Sequence, residues 1–119
     1  HSLDAEEHLI WPNANNRFGW NAYLNPHSAG VETLPEYLSP ARRDDLAGLP
    51  PAWIGCGDLD LFHTENSTYA ERLRTAGVPC EFISVKAVPH GFDMLKPSAD
   101  PSRRFHASML DFLRHHLPA

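Results

Sequence analysis

The sequence predicts an α/β fold in which two parallel strands alternate with two helices. Two short apolar runs, A-W-I-G-C-G at 52–57 and C-E-F-I-S-V at 80–85, have the length and composition of buried strands. A helical pattern follows each run, at 64–76 and at 100–117. The order strand–helix–strand–helix implies a parallel crossover, which is right-handed in nearly all known folds.

Local signals mark the ends of both predicted helices. In the first helix Tyr69 and Leu73 lie on one face, and Gly77 is the glycine expected just beyond a helix end. In the second helix Asp100 is expected to be the cap and Pro101 the first helical residue. The apolar stripe of the second helix is Phe105, Met109, Phe112 and Leu113.

The N-terminal part of the chain is irregular, with asparagine, proline and aromatic residues interspersed. We expect a short helical turn at 18–24, a loop at 25–40 and another helical turn at 42–47. The chain is therefore divided into an aromatic-rich connecting segment at 1–48 and a strand–helix–strand–helix unit at 49–119.

The predicted sheet is incomplete. Parallel strands normally lie inside a sheet that is covered on both faces, and two strands cannot form such a sheet alone. Either other chains complete it, or the protein has more sequence upstream. The pattern favours the C-terminal part of a larger α/β protein.

Composition excludes several classes of function. The net charge is −5, and the ten lysine and arginine residues form no basic stripe, so no nucleic-acid partner is expected. No apolar run approaches the roughly 20 residues of a membrane-spanning helix. Cys56 and Cys80 are interpreted as buried small side chains in a reducing compartment, which favours a cytoplasmic location. The eight histidines form no ligand motif, so neither a metal nor another cofactor is expected.

Polar side chains follow both predicted strands. Asp58 and Asp60 come directly after the first strand, and His90 follows the second, within V-P-H-G-F-D. The carboxyl ends of parallel strands meet at one edge of a sheet, so an acid and a histidine there can come together. An acid–histidine pair is two thirds of a nucleophile–histidine–acid triad, in which the acid orients the imidazole.

Three stretches carry a more specific resemblance. L-P-P-A-W-I-G-C-G-D-L-D-L-F, Y-A-E-R-L-R-T-A-G-V-P-C-E-F and V-P-H-G-F-D resemble the C-terminal part of the hormone-sensitive-lipase-like branch (family IV) of the α/β-hydrolases. The resemblance covers about residues 46–117. A looser similarity extends over 9–25, with W-x-x-Y-L at 20–24. It implies the C-terminal portion of an α/β-hydrolase fold, with an incomplete sheet.

The resemblance also implies roles for individual residues. Asp60 matches the catalytic acid and His90 the catalytic base, while Asp58, two residues before the acid, is the rival for its role. Glu65 matches a glutamate at the head of the following helix, and its simpler interpretation is a first-turn acid favoured by the helix dipole. Trp11, Phe18 and Trp20 are candidates either for an acyl or alcohol pocket or for packing against the core.

The nucleophile is the main departure from the family pattern. Such enzymes need G-x-S-x-G on a strand-to-helix turn and an H-G-G-type loop for the oxyanion hole, and neither occurs in the sequence. Pro26-His27-Ser28-Ala29-Gly30 mimics the elbow, but proline replaces its first glycine and no apolar strand precedes it. We interpret Ser28 as a turn serine and His27 as an exposed loop residue.

The expected function is that of a C-terminal fragment of a carboxylic-ester hydrolase. Its partners would be a small carboxylic ester and the N-terminal part of the same protein, and the chain alone would be inactive. The alternative is a non-catalytic remnant or assembly module that forms a homo-oligomer through its exposed sheet edge.

Overall fold

A computed structural model describes residues 8–28 and 36–117, with side chains for 8–24 and 37–117. Its helices are α1 (Asn13–Ser28), α2 (His63–Thr75), α3 (Phe92–Leu95) and α4 (Asp100–His116), and its strands are β1 (Ala52–Gly57) and β2 (Cys80–Val85). Two short 3-10 helices at Glu36–Leu38 and Pro40–Arg42 lie between α1 and β1.

The two strands form a parallel sheet, as predicted. Ala52 of β1 is paired with Cys80 of β2 at one end, and Gly57 with Val85 at the other. The bounds of both strands are those that the apolar runs predicted. Because the pairing is in register over six residues, the carboxyl ends of both strands lie side by side.

One face of the sheet packs against α2. Leu46, Leu73 and Val78 form a buried cluster on that face, and Ile54 of β1 contacts it. The helix ends as predicted: Gly77 has φ +80°, and the Val78 amide donates to the Leu73 carbonyl at 2.9 Å. This closing turn satisfies a free carbonyl and brings Val78 into the core.

The other face packs against α4 through aromatic rings. Phe105 lies edge-on to Trp53 and to Phe92, with both ring centroids 5.0 Å away. A Cβ at Gly55 would lie within 2.5 Å of the Trp53 and Phe105 rings, so only glycine leaves room for these two rings. The Trp53 Nε1–H donates to Ser108 Oγ at 3.0 Å, which fixes the indole against α4.

Several local predictions were wrong. The predicted turn at 18–24 is part of the longer helix α1, which also takes in residues 25–28 of the predicted loop, while 29–35 lie outside the described residues. Instead of a helical turn at 42–47 there is a 3-10 helix at Pro40–Arg42. The Arg72 guanidinium donates to backbone carbonyls of this segment, so a contact from α2 decides its shape.

Two further differences concern α3 and α4. The short helix α3 was predicted as loop, because four residues carry no periodic signal. Asp100 is the first helical residue of α4 rather than its cap, and its carboxylate pairs with Arg103 one turn on. Within the part of the chain that the structure describes, no helix is both long and apolar enough to cross a membrane.

Leu73 should be among the most sensitive positions of this core, since it is 1% exposed. We expect Leu73→Ala to lower the free energy of unfolding by about 2–5 kcal/mol, as buried leucine truncations do. Leu113→Ala is the matched control: Leu113 is 41% exposed, so its truncation should cost well under about 1 kcal/mol. Urea denaturation followed by circular dichroism would measure both, and equal losses would contradict this picture of the core.

Candidate active site

Asp60 lies in the turn that follows β1, and its side chain is only 6% exposed. One carboxylate oxygen, Oδ1, accepts from the Phe62 amide at 2.9 Å. The other, Oδ2, lies 2.9 Å from His90 Nδ1. Both oxygens of this buried group are therefore engaged, and its orientation is set by the backbone that begins α2.

His90 lies in the loop after β2, 30 residues beyond Asp60 in the chain. The structure thus brings together the two residues that the sequence placed at neighbouring strand ends. The Phe62 ring stands edge-on to the imidazole with centroids 5.7 Å apart, and Trp11 is tilted at 6.1 Å. The imidazole is held by one carboxylate and two aromatic rings, and 38% of its side chain remains exposed.

A tight turn directs Trp11 toward this histidine. The Trp11 amide donates to the Leu9 carbonyl at 2.9 Å, and Ile10 between them has φ +74°. A β-branched residue rarely adopts this left-handed backbone. The turn places a large apolar ring beside the imidazole.

Asp58, the rival acid, has a different partner. Its Oδ1 accepts from the Ala87 amide at 2.7 Å, in the turn directly after β2. The carboxylate of Asp58 therefore holds the backbone of the loop that leads to His90, whereas Asp60 contacts the imidazole itself.

A cleft of about 370 Å³ opens beside His90. Its walls are largely aromatic and come from α1, the segment before it and the turn before α2; the lining residues are Trp11, Asn16, Gly19, Trp20, Tyr23, Phe62 and His90. Of the three predicted pocket aromatics, Trp11 and Trp20 line the cleft, while Phe18 does not and is 77% exposed. Tyr23 and Phe62 also line the cleft but were not predicted to do so; W-x-x-Y at 20–23, within one helix, was the available signal for Tyr23.

Glu65 and Asp93 are not among the described residues that line this cleft. Glu65 is exposed in the first turn of α2, where its charge suits the helix dipole. Asp93 receives a hydrogen bond from His106 at 2.8 Å, which ties α3 to α4. Ser28 is the last residue of α1 and not a turn residue, so a helix precedes it rather than the strand that a nucleophile elbow requires.

Cys56 carries a buried thiol near the end of β1, shortly before the turn that contains Asp58 and Asp60. Burial raises the pKa of this thiol; a hydrogen bond with Asn66 opposes the shift, and the carboxylates of Asp60 and Asp58 add to it. Cys80 shows the same direction, since burial raises its pKa against the opposing charge of Arg74. Both groups therefore remain thiols at neutral pH. Among the described residues, no three potential metal ligands lie close together.

Comparison with known proteins identifies the fold family. A family model described as the α/β-hydrolase fold matches residues 1–94. The chain belongs to the α/β-hydrolase family. This match confirms the predicted α/β-hydrolase fold and the predicted family resemblance for the part of the fold that the chain contains.

Three individual proteins illustrate the similarity. Carboxylesterase NlhH of Mycobacterium tuberculosis (strain CDC 1551 / Oshkosh) is 41% identical over 59 residues, 50% of this chain and 18% of that protein. The crystal structure of esterase LipW from Mycobacterium marinum superposes with a TM-score of 0.73 at 36% identity, covering 82% of this chain and 29% of that one. A hormone-sensitive lipase from a metagenome library shares the fold, with a TM-score of 0.78 at 23% identity over 98% of this chain and 38% of its own.

This α/β-hydrolase chain spans only part of the length of its relatives: the matched segments cover 18% of the carboxylesterase and 29% of the esterase structure. The geometry of Asp60 and His90 is observed, whereas their catalytic roles and the division of the chain at residue 48 stay predictions.

The raised thiol pKa values lead to a prediction about reactivity. We expect Cys56 and Cys80 to react with iodoacetamide at pH 8 more slowly than an unstructured cysteine peptide, because the thiolate is the reactive form. Cys56, which is 5% exposed, should be the slower of the two. Mass spectrometry would follow both, with the urea-unfolded chain as control; a fast-reacting Cys56 in the folded chain would contradict the buried placement.

Proposed function

We propose that this chain carries the catalytic acid and base of a carboxylic-ester hydrolase, with Asp60 as the acid and His90 as the base. The observation that carries the proposal is the 2.9 Å contact between Asp60 Oδ2 and His90 Nδ1 at the carboxyl ends of adjacent parallel strands. Membership of the α/β-hydrolase family and similarity to esterases support it. The nucleophilic serine would lie in another part of the protein.

The hydrogen bond defines the chemistry available to His90. A carboxylate only accepts, so in this contact the imidazole Nδ1 carries the hydrogen. In the neutral ring Nε2 is then the unprotonated nitrogen, which is the form that a general base requires. The buried carboxylate of Asp60 also stabilises the imidazolium that appears during the reaction.

The proposed reaction proceeds through an acyl-enzyme. His90 Nε2 takes the proton of the serine hydroxyl as the serine oxygen bonds to the ester carbonyl carbon. The imidazolium then gives that proton to the leaving alcohol oxygen as the C–O bond breaks. Water attacks the acyl-enzyme in the same way, with His90 as base, and releases the carboxylic acid and the serine.

The aromatic cleft is the proposed site for an apolar part of the ester. It lies directly beside His90, and its volume of about 370 Å³ accommodates a small ligand. Trp20 and Tyr23 stand edge-on with ring centroids 5.9 Å apart, giving the wall a fixed shape. A cleft walled by rings favours a hydrocarbon or planar group over a charged one.

The acid and base can be tested by substitution in the intact protein, with a short-chain p-nitrophenyl ester as substrate. We expect Asp60→Asn and His90→Ala each to lower kcat by about 10⁴-fold, as loss of a triad member does. Asp111→Asn is the matched control, because the Asp111 carboxylate is 72% exposed on α4 and should leave kcat unchanged. Full activity of Asp60→Asn would exclude Asp60 as the acid.

The 119-residue chain by itself should not hydrolyse the same ester, because it contains no elbow serine and no oxyanion-hole sequence. Turnover by this chain that Ser28→Ala abolishes would contradict the proposed division of the triad.

The alternative function, assembly through the sheet, is supported by one observation. In the described part of the chain each strand is paired on one side only, and open edges favour pairing with another chain. Sedimentation of the isolated chain distinguishes the two ideas: self-association favours the assembly module, and a monomer that unfolds cooperatively counts against it.

A further inference from the structure

We propose that Asp58 is a positioning residue, whose carboxylate holds the loop that carries His90 and thereby maintains the contact between His90 and Asp60. This inference rests on the proposed function, because it assigns a role within the same site. It differs from the rival assignment in which Asp58 is itself the catalytic acid.

The loop that carries His90 needs an external support. It leaves β2 at Val85 and reaches the histidine through a turn at Lys86 and Ala87, with no strand or helix of its own. Ala87 has φ +59°, a left-handed conformation that residues with a Cβ adopt at a cost. A conformation of this kind persists only where surrounding contacts hold it.

Asp58 supplies that support at the strained residue. Its Oδ1 accepts from the Ala87 amide at 2.7 Å, a short bond made stronger by the carboxylate charge. The amide of Asp58 donates to the Val85 carbonyl at 2.9 Å, so the same residue also continues the pairing of the two strands. Asp58 therefore bonds to Val85, just before the turn, and to Ala87 within it.

The neighbouring backbone leaves the loop little freedom toward the sheet. The Leu59 amide donates to the Val88 carbonyl at 3.3 Å. A Cβ at Gly57 would lie 2.0 Å from that same carbonyl oxygen, so the loop rests directly on the end of β1. His90 follows only two residues later, and a shift at Ala87 or Val88 therefore reaches the imidazole.

The far side of the loop has an independent anchor. Phe92 packs against Phe105, and Asp93 is bonded to His106 at 2.8 Å, which fixes α3 to α4. Loss of the Asp58 contact should consequently release the near side of the loop without unfolding the domain. The expected defect is a misplaced base, not a missing one.

The test compares two substitutions of Asp58 in the intact protein. Asp58→Ala removes the acceptor, and we expect kcat to fall by about 10- to 100-fold, the effect of displacing a catalytic group by about 1 Å. KM should stay within about threefold, because Asp58 lies outside the aromatic cleft. Asp58→Asn keeps an oxygen that can accept from the Ala87 amide, so it should restore most of kcat.

Asp45→Ala provides a matched control. Asp45 Oδ1 also accepts from a backbone amide in a turn, that of Ala47 at 2.9 Å, but this turn precedes β1. Removal of the same kind of bond there should leave kcat and KM unchanged. The comparison separates loss of a carboxylate–amide bond in general from loss of the one that supports His90.

A spectroscopic measurement completes the test. The proton of His90 Nδ1 should give a downfield NMR signal that persists in Asp58→Asn, broadens or disappears in Asp58→Ala, and is lost in Asp60→Asn.

An unchanged signal and kcat in Asp58→Ala would overturn the positioning role while leaving the proposed function intact. A defect as severe in Asp58→Asn as in Asp58→Ala would also overturn it, since the charge and not the acceptor would then matter. Full activity of Asp60→Asn would instead reject the proposed function, and the Asp58→Ala signal would still decide whether Asp58 positions His90.

Discussion

The parallel pairing of β1 with β2 is the constraint on which the rest of the site depends. Its register ends with Gly57 beside Val85, so the turns that follow the two strands emerge side by side. Asp60 and His90 are 30 residues apart in the chain, yet their side chains meet because both follow these paired ends. A slip of one residue along the sheet would turn the side chains of one strand to the other face and displace the two turns from each other.

Two carboxylates at this edge have separate tasks. Asp60 is buried and contacts the imidazole, while Asp58 contacts the backbone of the loop that presents the imidazole. Residues two apart in a strand point to the same face, but Asp58 and Asp60 lie in the turn beyond β1, where this alternation ends. Neighbours of the same type can therefore engage different partners. The division resembles the general organisation of catalytic sites, in which a reacting group is held by residues that never touch the substrate.

The described chain is one part of a larger family fold, and its architecture reflects this. Helices α2 and α4 cover the two faces of a two-stranded sheet, and aromatic contacts around Phe105 fill the space between α4 and β1. The relatives are longer, and the matched segments cover 18% of the carboxylesterase and 29% of the esterase structure. Asp60 and His90 thus belong to a module whose strands, helices and loops position them by local contacts.

The sequence by itself determined the two strands, the extent of α2 and α4 to within a residue, and the placement of Asp60 and His90 at adjoining strand ends. Apolar runs, helical periodicity and the glycine after α2 are local signals of the elements. The parallel pairing that this order of elements implies brings Asp60 and His90 close together. Only the tertiary structure decided the length of α1, the 3-10 helix that Arg72 holds, and the separate partners of Asp58 and Asp60. It also decided that Tyr23 and Phe62 line the cleft, because such contacts join residues far apart in the chain. Helix propensities of residues other than proline differ by about 1 kcal/mol or less per residue, so long-range contacts of this kind override them.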